Sequence, residues 1–435
     1  MAKFKMETWG CQMNEYDSQK MVGLLKQAGY SQTESEEEAE IIILNTCSVR
    51  EKAVHKIHSR LGVLKKRYAN RKIVGVCGCV ASQEGRALLK KIPYLSFVLG
   101  TRSTHLITEA VNRALDGAKY LDSNDHVNQM DTPVTFAERS GKTKAYISII
   151  EGCDNFCTYC VVPFTRGREH SRPLSVILDE VKDAVEIRGI PEIELLGQNV
   201  NSYNFEGLAF ADVLEKVSNQ PGVERVRFLT SHPKDLNERL VRIIAAHDNI
   251  CSTIHLPMQS GSDRILKKMG RQYTRKDYLK KIDVIREILP ECWLSSDFIV
   301  AFPGEEESDF MDTMDVIQSV KYDNLFSFKY SPRPDTAALK LTDEPVPDSI
   351  ASSRLSILQH AQEQIQLNKH LNMINGVYPV LVESFSKKNP KRLTGRTEGN
   401  HVVHFEAGRE TQLIGTIVDV RIESVTMASL KAQLL

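Results

Sequence analysis

The sequence predicts an α/β protein in three parts: an N-terminal open parallel α/β sheet domain, a central partial (β/α)6 barrel and a small C-terminal β-barrel. Three patterns carry that reading. Between Phe4 and Val80, apolar β-like runs alternate with helix-like stretches, as in a parallel sheet with crossover helices. From Ala145 to Tyr330 the alternation recurs six times, two short of a closed barrel of this kind, which implies an open side. After Gly376 short alternating runs replace the helical period. A length of 435 residues suits about three domains.

In the first part, residues 1–118, each β-like run ends at a cysteine. Phe4 to Trp9 leads to Cys11 and a helix over 18–28; Ile41 to Leu44 leads to Cys47 and a helix to about Tyr68; Ile73 to Val76 leads to Cys77 and Cys79. Ligand crevices in open parallel sheets lie at the carboxyl ends of the strands, where Cys11, Cys47 and Cys79 are expected to meet as a three-cysteine cluster site. The competing reading is three buried core thiols. Cys77 is either a rival ligand or a buried spectator. Residues 119–142 are polar, lack an apolar period and include Asp122-Ser-Asn-Asp-His126, which reads as a linker.

The central part, 143–372, opens on Ala145 to Ile150 and then Glu151-Gly-Cys-Asp-Asn-Phe-Cys-Thr-Tyr-Cys160. Cys153, Cys157 and Cys160 offer three thiolates with no fourth ligand nearby. A structural zinc site closes its tetrahedron with four protein ligands, whereas a cubic iron–sulfur cluster held by three cysteines leaves one iron open to a small molecule. The further runs are Ile193 to Leu196, Arg225 to Leu229, Ser252 to Leu256, Trp293 to Ile299 and Leu325 to Tyr330. Their ends carry Gly197, Gln198, Asn199, Ser231, Gln259, Gly261 and Gly304: glycines that permit close backbone approach, and polar side chains that donate and accept hydrogen bonds. Loop chemistry and helix capping are the plainer reading of each, and His232 and His255 are equally well structural. Arg166 and Arg168 contact cluster, cofactor or phosphate, or form a solvated loop. Cys251 and Cys292 precede strands and read as buried thiols. Asp348 to Asn372 is helix-patterned and packs back on the barrel.

In the third part, 373–435, β-like runs are expected at Tyr378 to Val382, Val402 to Phe405, Gly415 to Ile422 and Ser424 to Ala428. Lys387, Lys388, Lys391, Arg392 and Arg396 fall within ten residues that contain no acidic side chain. The run is either a phosphate-binding patch or a solvated turn. Over the whole chain lysine plus arginine and aspartate plus glutamate balance at 56 each, so any pull towards nucleic acid has to come from a local patch. No apolar stretch approaches the roughly twenty residues needed to span a bilayer, and the start Met-Ala-Lys-Phe-Lys-Met lacks a secretory apolar region. The expectation is a cytoplasmic protein with no membrane partner, whose nine cysteines are ligands or buried thiols rather than disulfides.

Cys153, Cys157 and Cys160, with aromatic Tyr159 before the last cysteine, resemble the signature of the radical S-adenosylmethionine enzymes. Gly10-Cys-Gln-Met-Asn14 with Asp17-Ser18, Asn45-Thr-Cys-Ser-Val-Arg50 and Gly78-Cys-Val-Ala81 resemble the three cysteine motifs of the methylthiotransferases among them. Leu393-Thr-Gly-Arg-Thr397 with Val402-Val-His-Phe405 resembles a TRAM domain, a small RNA-binding barrel. Two departures stand out: Ser82-Gln83 replaces the usual Ala-Gln, and Asp335, in Ser331-Pro-Arg-Pro-Asp335, stands where glycine is usual.

The resemblance implies two 4Fe–4S clusters, one on Cys153, Cys157 and Cys160 that cleaves S-adenosylmethionine to a 5'-deoxyadenosyl radical, and an auxiliary one on Cys11, Cys47 and Cys79 that carries the inserted sulfur. It further implies that Tyr159, Gly197, Gln198, Asn199, Ser231 and Gln259 line the cofactor site and that the basic run meets tRNA. An external electron donor and a monomeric state complete the expectation. One molecule of S-adenosylmethionine methylates the sulfur; another yields the radical that abstracts hydrogen from carbon 2 of adenine. Of the family's three substrates, a ribosomal protein aspartate, threonylcarbamoyladenosine in tRNA and isopentenyladenosine next to the anticodon of tRNA, the wording at Gly10–Asn14, Leu196–Asn201 and Ser231–Pro233 resembles the branch acting on isopentenyladenosine. A non-catalytic iron–sulfur RNA-binding protein is the alternative of a different class.

Overall fold

The computed structural model describes residues 2–48, 51–68, 71–123, 143–387, 389–406 and 411–435. The N-terminal domain is a six-stranded, all-parallel sheet of β1 (Lys3–Trp9), β2 (Ser31–Gln32), β3 (Ile41–Thr46), β4 (Ile73–Gly78), β5 (Phe97–Leu99) and β6 (Tyr120–Asp122), in the order β2-β1-β3-β4-β5-β6. The run Ile41-Ile-Ile-Leu44 is apolar at every position because β3 is buried on both faces. Ile41 and Ile43 pack under α1 (Gln12–Gln27) and α4 (Ile107–Leu115), while Ile42 and Leu44 pack under α2 (Glu51–Tyr68) and α3 (Cys79–Lys91). The chain leaves β1 in one direction for β2 and returns past it to β3. Such a reversal opens a crevice at the carboxyl ends of β1 and β3, where Cys11 and Cys47 stand.

Two sequence expectations change here. Helix α1 starts at Gln12 rather than near Ser18, so Cys11 is its N-cap. Tyr120–Asp122, assigned to the linker, is the edge strand β6, in register with Phe97–Leu99. Three residues at a sheet edge leave too short a pattern to be seen in sequence. Residues 124–142 of that linker lie outside the described residues.

The central domain holds β7 (Lys144–Ser148), β10 (Glu192–Leu196) and β13 (Arg225–Phe228) in one parallel sheet, and β14 (Thr253–His255), β15 (Trp293–Val300) and β16 (Asn324–Lys329) in another. A parallel bridge from Val226 to Ile250 joins them into the expected six-stranded partial barrel. Short hairpins, β8 (Ile150–Glu151) with β9 (His170–Ser171) and β11 (Asn204–Phe205) with β12 (Leu208–Ala209), leave the wall. Helices α6 (Leu174–Lys182), α7 (Phe210–Ser218), α8 (Glu238–Ala246), α10 (Arg275–Ile288), α11 (Glu307–Val320) and α12 (Asp348–Asn372) flank the strands, while α5 (Val162–Arg166) and α9 (Asp263–Lys268) are short. One strand face, with Ala145, Ile147, Ile193, Leu195, Val226 and Ile254, packs against helices; Lys144, Glu192, Glu194, Arg225 and Arg227 alternate onto the other.

The C-terminal domain is a closed barrel, β17 (Val377–Phe385), β18 (Arg392–Thr397), β19 (Val402–Glu406), β20 (Ile417–Val425) and β21 (Leu430–Leu434), in the order β17-β18-β19-β21-β20. A Cβ at Gly395 would stand 2.3 Å from the Leu381 carbonyl oxygen, so β18 can close on β17 only with glycine there. The run expected at Ser424–Ala428 splits. Its first residues finish β20, and Thr426 then turns the chain by accepting and donating bonds to Ser429.

This barrel docks on the N-terminal ends of the central strands. Arg227 donates to the carbonyls of Glu398 (2.6 Å) and Thr397 (3.1 Å), Thr253 donates to that of Glu398 (2.7 Å), and Trp293 meets the His401 ring at 4.4 Å. The opposite, carboxyl edge faces the N-terminal domain. Among the described residues no helix is long and apolar enough to cross a membrane.

Candidate active site

Three separate strand ends deliver the first group of thiols. Cys11 caps α1, Cys47 follows β3, and Cys79 is the first residue of α3. Gly10 is required because a Cβ there would lie 2.8 Å from that of Cys47, and Gly78 because it turns at φ 88° with Asn45 against it. Behind them Asn45 donates to the Asn14 carbonyl and to Ser18 Oγ, both at 2.8 Å, which ties β3 to α1. Those bonds explain the polar residues of the motif. The Cys47 thiol is hydrogen-bonded to both Cys11 and Cys79 and is held upward in pKa by them. Cys11 is lowered to about 5 and Cys79 to about 6, in each case first by the bond from Cys47, against burial, with Arg166 adding its charge. Cys77 points elsewhere. It packs in the apolar core with Phe4, Ile43 and Phe97, and burial pushes its thiol up.

The second group lies in one loop between β8 and α5. Gly152 starts it at φ 80°, where a Cβ would strike the Arg168 carbonyl at 2.1 Å. Thr158 fixes its middle, donating from N to the Met269 carbonyl and from Oγ1 to that of Lys268, both at 2.9 Å, and accepting from Ala338 N at 2.8 Å. Asn155 Nδ2 reaches Cys153 Sγ at 3.4 Å, and Arg271 Nη1 reaches Cys157 Sγ at 3.5 Å. Burial raises Cys153 and lifts Cys160 to about 12, with the neighbouring Cys157 adding to both. Cluster binding must therefore take a proton from Cys153 and Cys160. Among the described residues no three His, Cys, Asp or Glu side chains converge on one metal ion. Three cysteines leave a structural zinc one protein ligand short, whereas an iron–sulfur cube tolerates three.

A buried polar seam joins the two groups. Arg166, at the end of α5, donates to Asp17 of α1 at 2.7 Å, with Glu151 at 4.0 Å. Burial opposes its charge, but Asp17, Cys79 and Glu151 together hold it well above the ordinary guanidinium value. Burial raises Asp17 to about 7 despite Arg166. Arg172 pairs with Glu180 at 2.6 Å and donates to Tyr16 at 3.2 Å, while Thr101 donates to the Thr165 carbonyl at 2.8 Å. Met13, Tyr16 and Leu196 pack together with Cys11 and Tyr146 beside them, so the first thiol group meets the carboxyl edge of the barrel. Sequence reasoning named Arg166 as a contact but could not see Asp17, 149 residues away, as its partner. Arg168 instead pairs with Asp154 at the surface, at 2.7 Å.

At the carboxyl edge the sequence-predicted cofactor residues divide. Gln198 accepts from the backbone of Gly152, and Asn199 accepts from His232 N (3.0 Å) and donates to Asp235 (2.6 Å), so both shape the edge from within. At Gly197 and Gly261 protein stands where a side chain would be, Ile150 at the first and the backbone of α11 at the second. Ser231 donates to Asn201 at 3.1 Å. His232 accepts from Lys234 N, and burial lowers it to about 2, a neutral structural ring. Tyr159 lies against Phe302 in an apolar wall with Ile265 and Met269. Gln259 Oε1 and Asn201 Nδ2 are buried with no hydrogen-bond partner, which a bound polar molecule would supply. Asp335 keeps the glycine-type turn, at φ 66°.

The basic run is smaller in space than in sequence. Arg392 pairs with Glu406 at 3.2 Å and Arg396 with Glu383 at 3.3 Å, and the Arg396 carbonyl accepts from Arg225. Lys387 and Lys391 are exposed; Lys388 lies outside the described residues.

Three family models match the chain: uncharacterized protein family UPF0004 over residues 3–100, the Radical SAM superfamily over 147–317 and the TRAM domain over 372–435. Among solved structures, a radical S-adenosylmethionine methyltransferase of Kitasatospora setae shares the fold, with TM-score 0.59 and 15% identity over 78% of this chain and 77% of that one. The cobalamin-dependent S-adenosylmethionine radical enzyme OxsB gives TM-score 0.55 at 12% identity over 84% and 56%. The tRNA-2-methylthio-N(6)-dimethylallyladenosine synthase of Geobacter metallireducens is 45% identical over 423 residues, 96% of this chain and 95% of that protein. Proteins of the same name from Syntrophotalea carbinolica and a Sulfurihydrogenibium species are each 43% identical, over 97% and 100% of this chain and 97% and 99% of theirs. The chain therefore belongs to the family of radical S-adenosylmethionine enzymes that are tRNA-2-methylthio-N(6)-dimethylallyladenosine synthases.

Proposed function

We propose that this chain adds a methylthio group to carbon 2 of N6-isopentenyladenosine in tRNA by means of two iron–sulfur clusters, a radical one on Cys153, Cys157 and Cys160 and a sulfur-carrying one on Cys11, Cys47 and Cys79. The supporting observation is the meeting of three thiols from positions 11, 47 and 79 at the barrel edge that also bears the CxxxCxxC loop. When bound, cluster and S-adenosylmethionine supply a radical able to break an unactivated C–H bond, and the auxiliary cluster supplies the sulfur.

The chain's own residues position and shield. The bonds from Thr158 to Lys268, Met269 and Ala338 fix the radical cysteines against the barrel. The Asn14, Ser18 and Asn45 network fixes the other triplet. Arg166 places a buried positive charge beside Cys79 and Cys11, where a thiolate-rich group is most in need of one. Gln259 and Asn201 bring buried polar atoms without a protein partner to the carboxyl edge, suited to S-adenosylmethionine. No side-chain acid or base is required at carbon 2. Lys387 and Lys391 leave phosphate-binding charge on the C-terminal barrel, and reduction comes from an external donor.

The test is anaerobic incubation of the reconstituted enzyme with reductant, S-adenosylmethionine and tRNA bearing isopentenyladenosine, followed by mass analysis of the nucleosides. The 2-methylthio nucleoside is expected. Release of 5'-deoxyadenosine without it would move the substrate elsewhere, and no release at all would leave a scaffold protein. Iron analysis of a Cys11, Cys47 and Cys79 triple alanine variant should give about half the parent's iron, since two independent clusters are expected.

A further inference from the structure

The open side of the barrel presents an apolar surface that this chemistry has not used. β16 is the last strand of its sheet and pairs only with β15. Its residues alternate between two faces. Leu325 packs into the helix-covered core, Ser327 accepts from Gln359 of α12 at 3.4 Å, and Lys329 pairs with Asp348 at 2.6 Å, so α12 covers that side. Phe326 and Phe328 stand on the other face, each 46% exposed. Phe326 lies in register with Asp297 and Phe328 with Ile299. The His255 ring meets Phe326 edge-on at 6.0 Å and shares a hydrogen bond with Ser295 at 2.9 Å. This is the face directed into the barrel.

The pair is continuous with the radical-cysteine site. Ile299, opposite Phe328, packs with Tyr159 of the cysteine loop through Ile265, Met269 and Phe302. Lys144, Glu192, Arg225 and Arg227 on the inner face are charged and already taken up by ion pairs and by the C-terminal barrel, so they offer an apolar group no free surface. Two phenylalanines left half exposed, side by side at the mouth of a site, are a surface waiting for an apolar or aromatic partner. The substrate is such a partner: a purine with a faced π-system and a branched five-carbon substituent on N6. Aromatic side chains take up unstacked bases by ring contact, and a base modified at its own carbon must leave its stack to be reached.

We propose that Phe326 and Phe328 receive the isopentenyladenine base, holding its ring and covering its N6 substituent, and so select prenylated over unprenylated tRNA. His255 is the positioning residue that sets the Phe326 ring. The inference rests on the tRNA reading above and names the part of the chain that recognises the substrate's prenyl group.

The test uses the holoenzyme with Phe326→Ala, Phe328→Ala and Phe326→Leu. Affinity is measured for one tRNA with and without the isopentenyl group, and KM for the prenylated form. The parent is expected to prefer the prenylated tRNA. Each alanine variant is expected to lose about tenfold or more of that preference and to raise KM similarly, and leucine, which keeps apolar area, should restore most of it. A merely structural lesion would weaken both tRNAs alike and leave their ratio intact, which overturns the proposal. If the parent makes no 2-methylthio product, the tRNA reading fails and this inference falls with it; product made with unchanged preference in the variants sinks this inference alone.

Discussion

At the carboxyl ends of three successive barrel strands the backbone is strained. Thr230 after β13, Gln259 after β14 and Ala301 after β15 take left-handed conformations, with φ of 64°, 74° and 60°, that cost non-glycine residues free energy. The unpartnered polar atoms Gln259 Oε1 and Asn201 Nδ2 lie there too, with the thiols. At the other ends of the strands the groups find partners. Arg225 pairs with Glu192 at 2.5 Å, Arg227 donates to two carbonyls of the C-terminal barrel, and Lys144 pairs with Glu383 at 2.8 Å. The same strands therefore end in strain and unfilled valence where chemistry is expected, and begin in satisfied contacts where one domain is fastened to another.

The comparison breaks most sharply under mutation of the cysteine loop. Replacing Cys153, Cys157 and Cys160 together by alanine is expected to abolish 5'-deoxyadenosine formation and remove about half the iron, while the melting temperature of the unloaded protein barely moves. An unloaded variant that melts far below the parent would make the carboxyl edge a stability element after all. At the opposite edge the effects should reverse. Arg227→Met removes the donor to the Thr397 carbonyl, leaves the Glu398 carbonyl with Thr253 alone and buried Glu192 with Arg225 alone, at a cost of about 3 kcal/mol in urea unfolding. Deoxyadenosine release per folded molecule should be unchanged.

How much of this was legible depends on how far apart in sequence the partners lie. The CxxxCxxC loop is contiguous and reads directly, and the strand-end cysteines read because each follows an apolar run. Helix α1 hid its start because Gln12 and Asn14 are polar, and the reason for Asn14, the bond network to Asn45, appears only when β3 lies beside α1. The basic run is less bare in space than in sequence for the same reason. It contains no acid in sequence, but β18 lies between β17 and β19, which set Glu383 and Glu406 against Arg396 and Arg392. The glycines of the strand ends stand out in sequence, but a missing side chain does not say whether ligand or protein fills the space.

The fastening edge should also carry a pH signature. Burial lowers His401 from 6.5 to about 3, with His370 adding to it. Between those values the unfolded chain binds a proton at this residue and the folded chain does not, so its contribution is whole above pH 6.5 and stability drains away as pH falls towards 3. The loss is about 1.4 kcal/mol per pH unit at most. His401→Phe keeps a ring against Trp293 and should flatten that part of the acid limb. Urea titrations of parent and variant at pH 6.5 and 4.5 check it: a difference between the two proteins that stays constant with pH would show that this ring does not titrate across folding.

The smallest effect expected is the most direct probe of strain. Ala301 sits at φ 60° immediately after β15, and its N–H donates to Glu305 Oε1 at 2.9 Å, a bond that holds it there. An L-residue in this conformation costs about 1 kcal/mol that glycine does not, while glycine adds unfolded-state entropy of similar size. If the strain is real, Ala301→Gly should come out within a few tenths of a kcal/mol of the parent, instead of about 1 kcal/mol below it as a glycine placed at an ordinary strand position would. Ala301→Val separates the alternatives further, because a β-branched side chain worsens a left-handed backbone and should destabilise by 1 kcal/mol or more, on the order of the strain itself. Should valine be tolerated and glycine be costly, the carboxyl edge is no more strained than the rest of the barrel, and the contrast between its two ends rests on the thiols and unpartnered polar atoms alone.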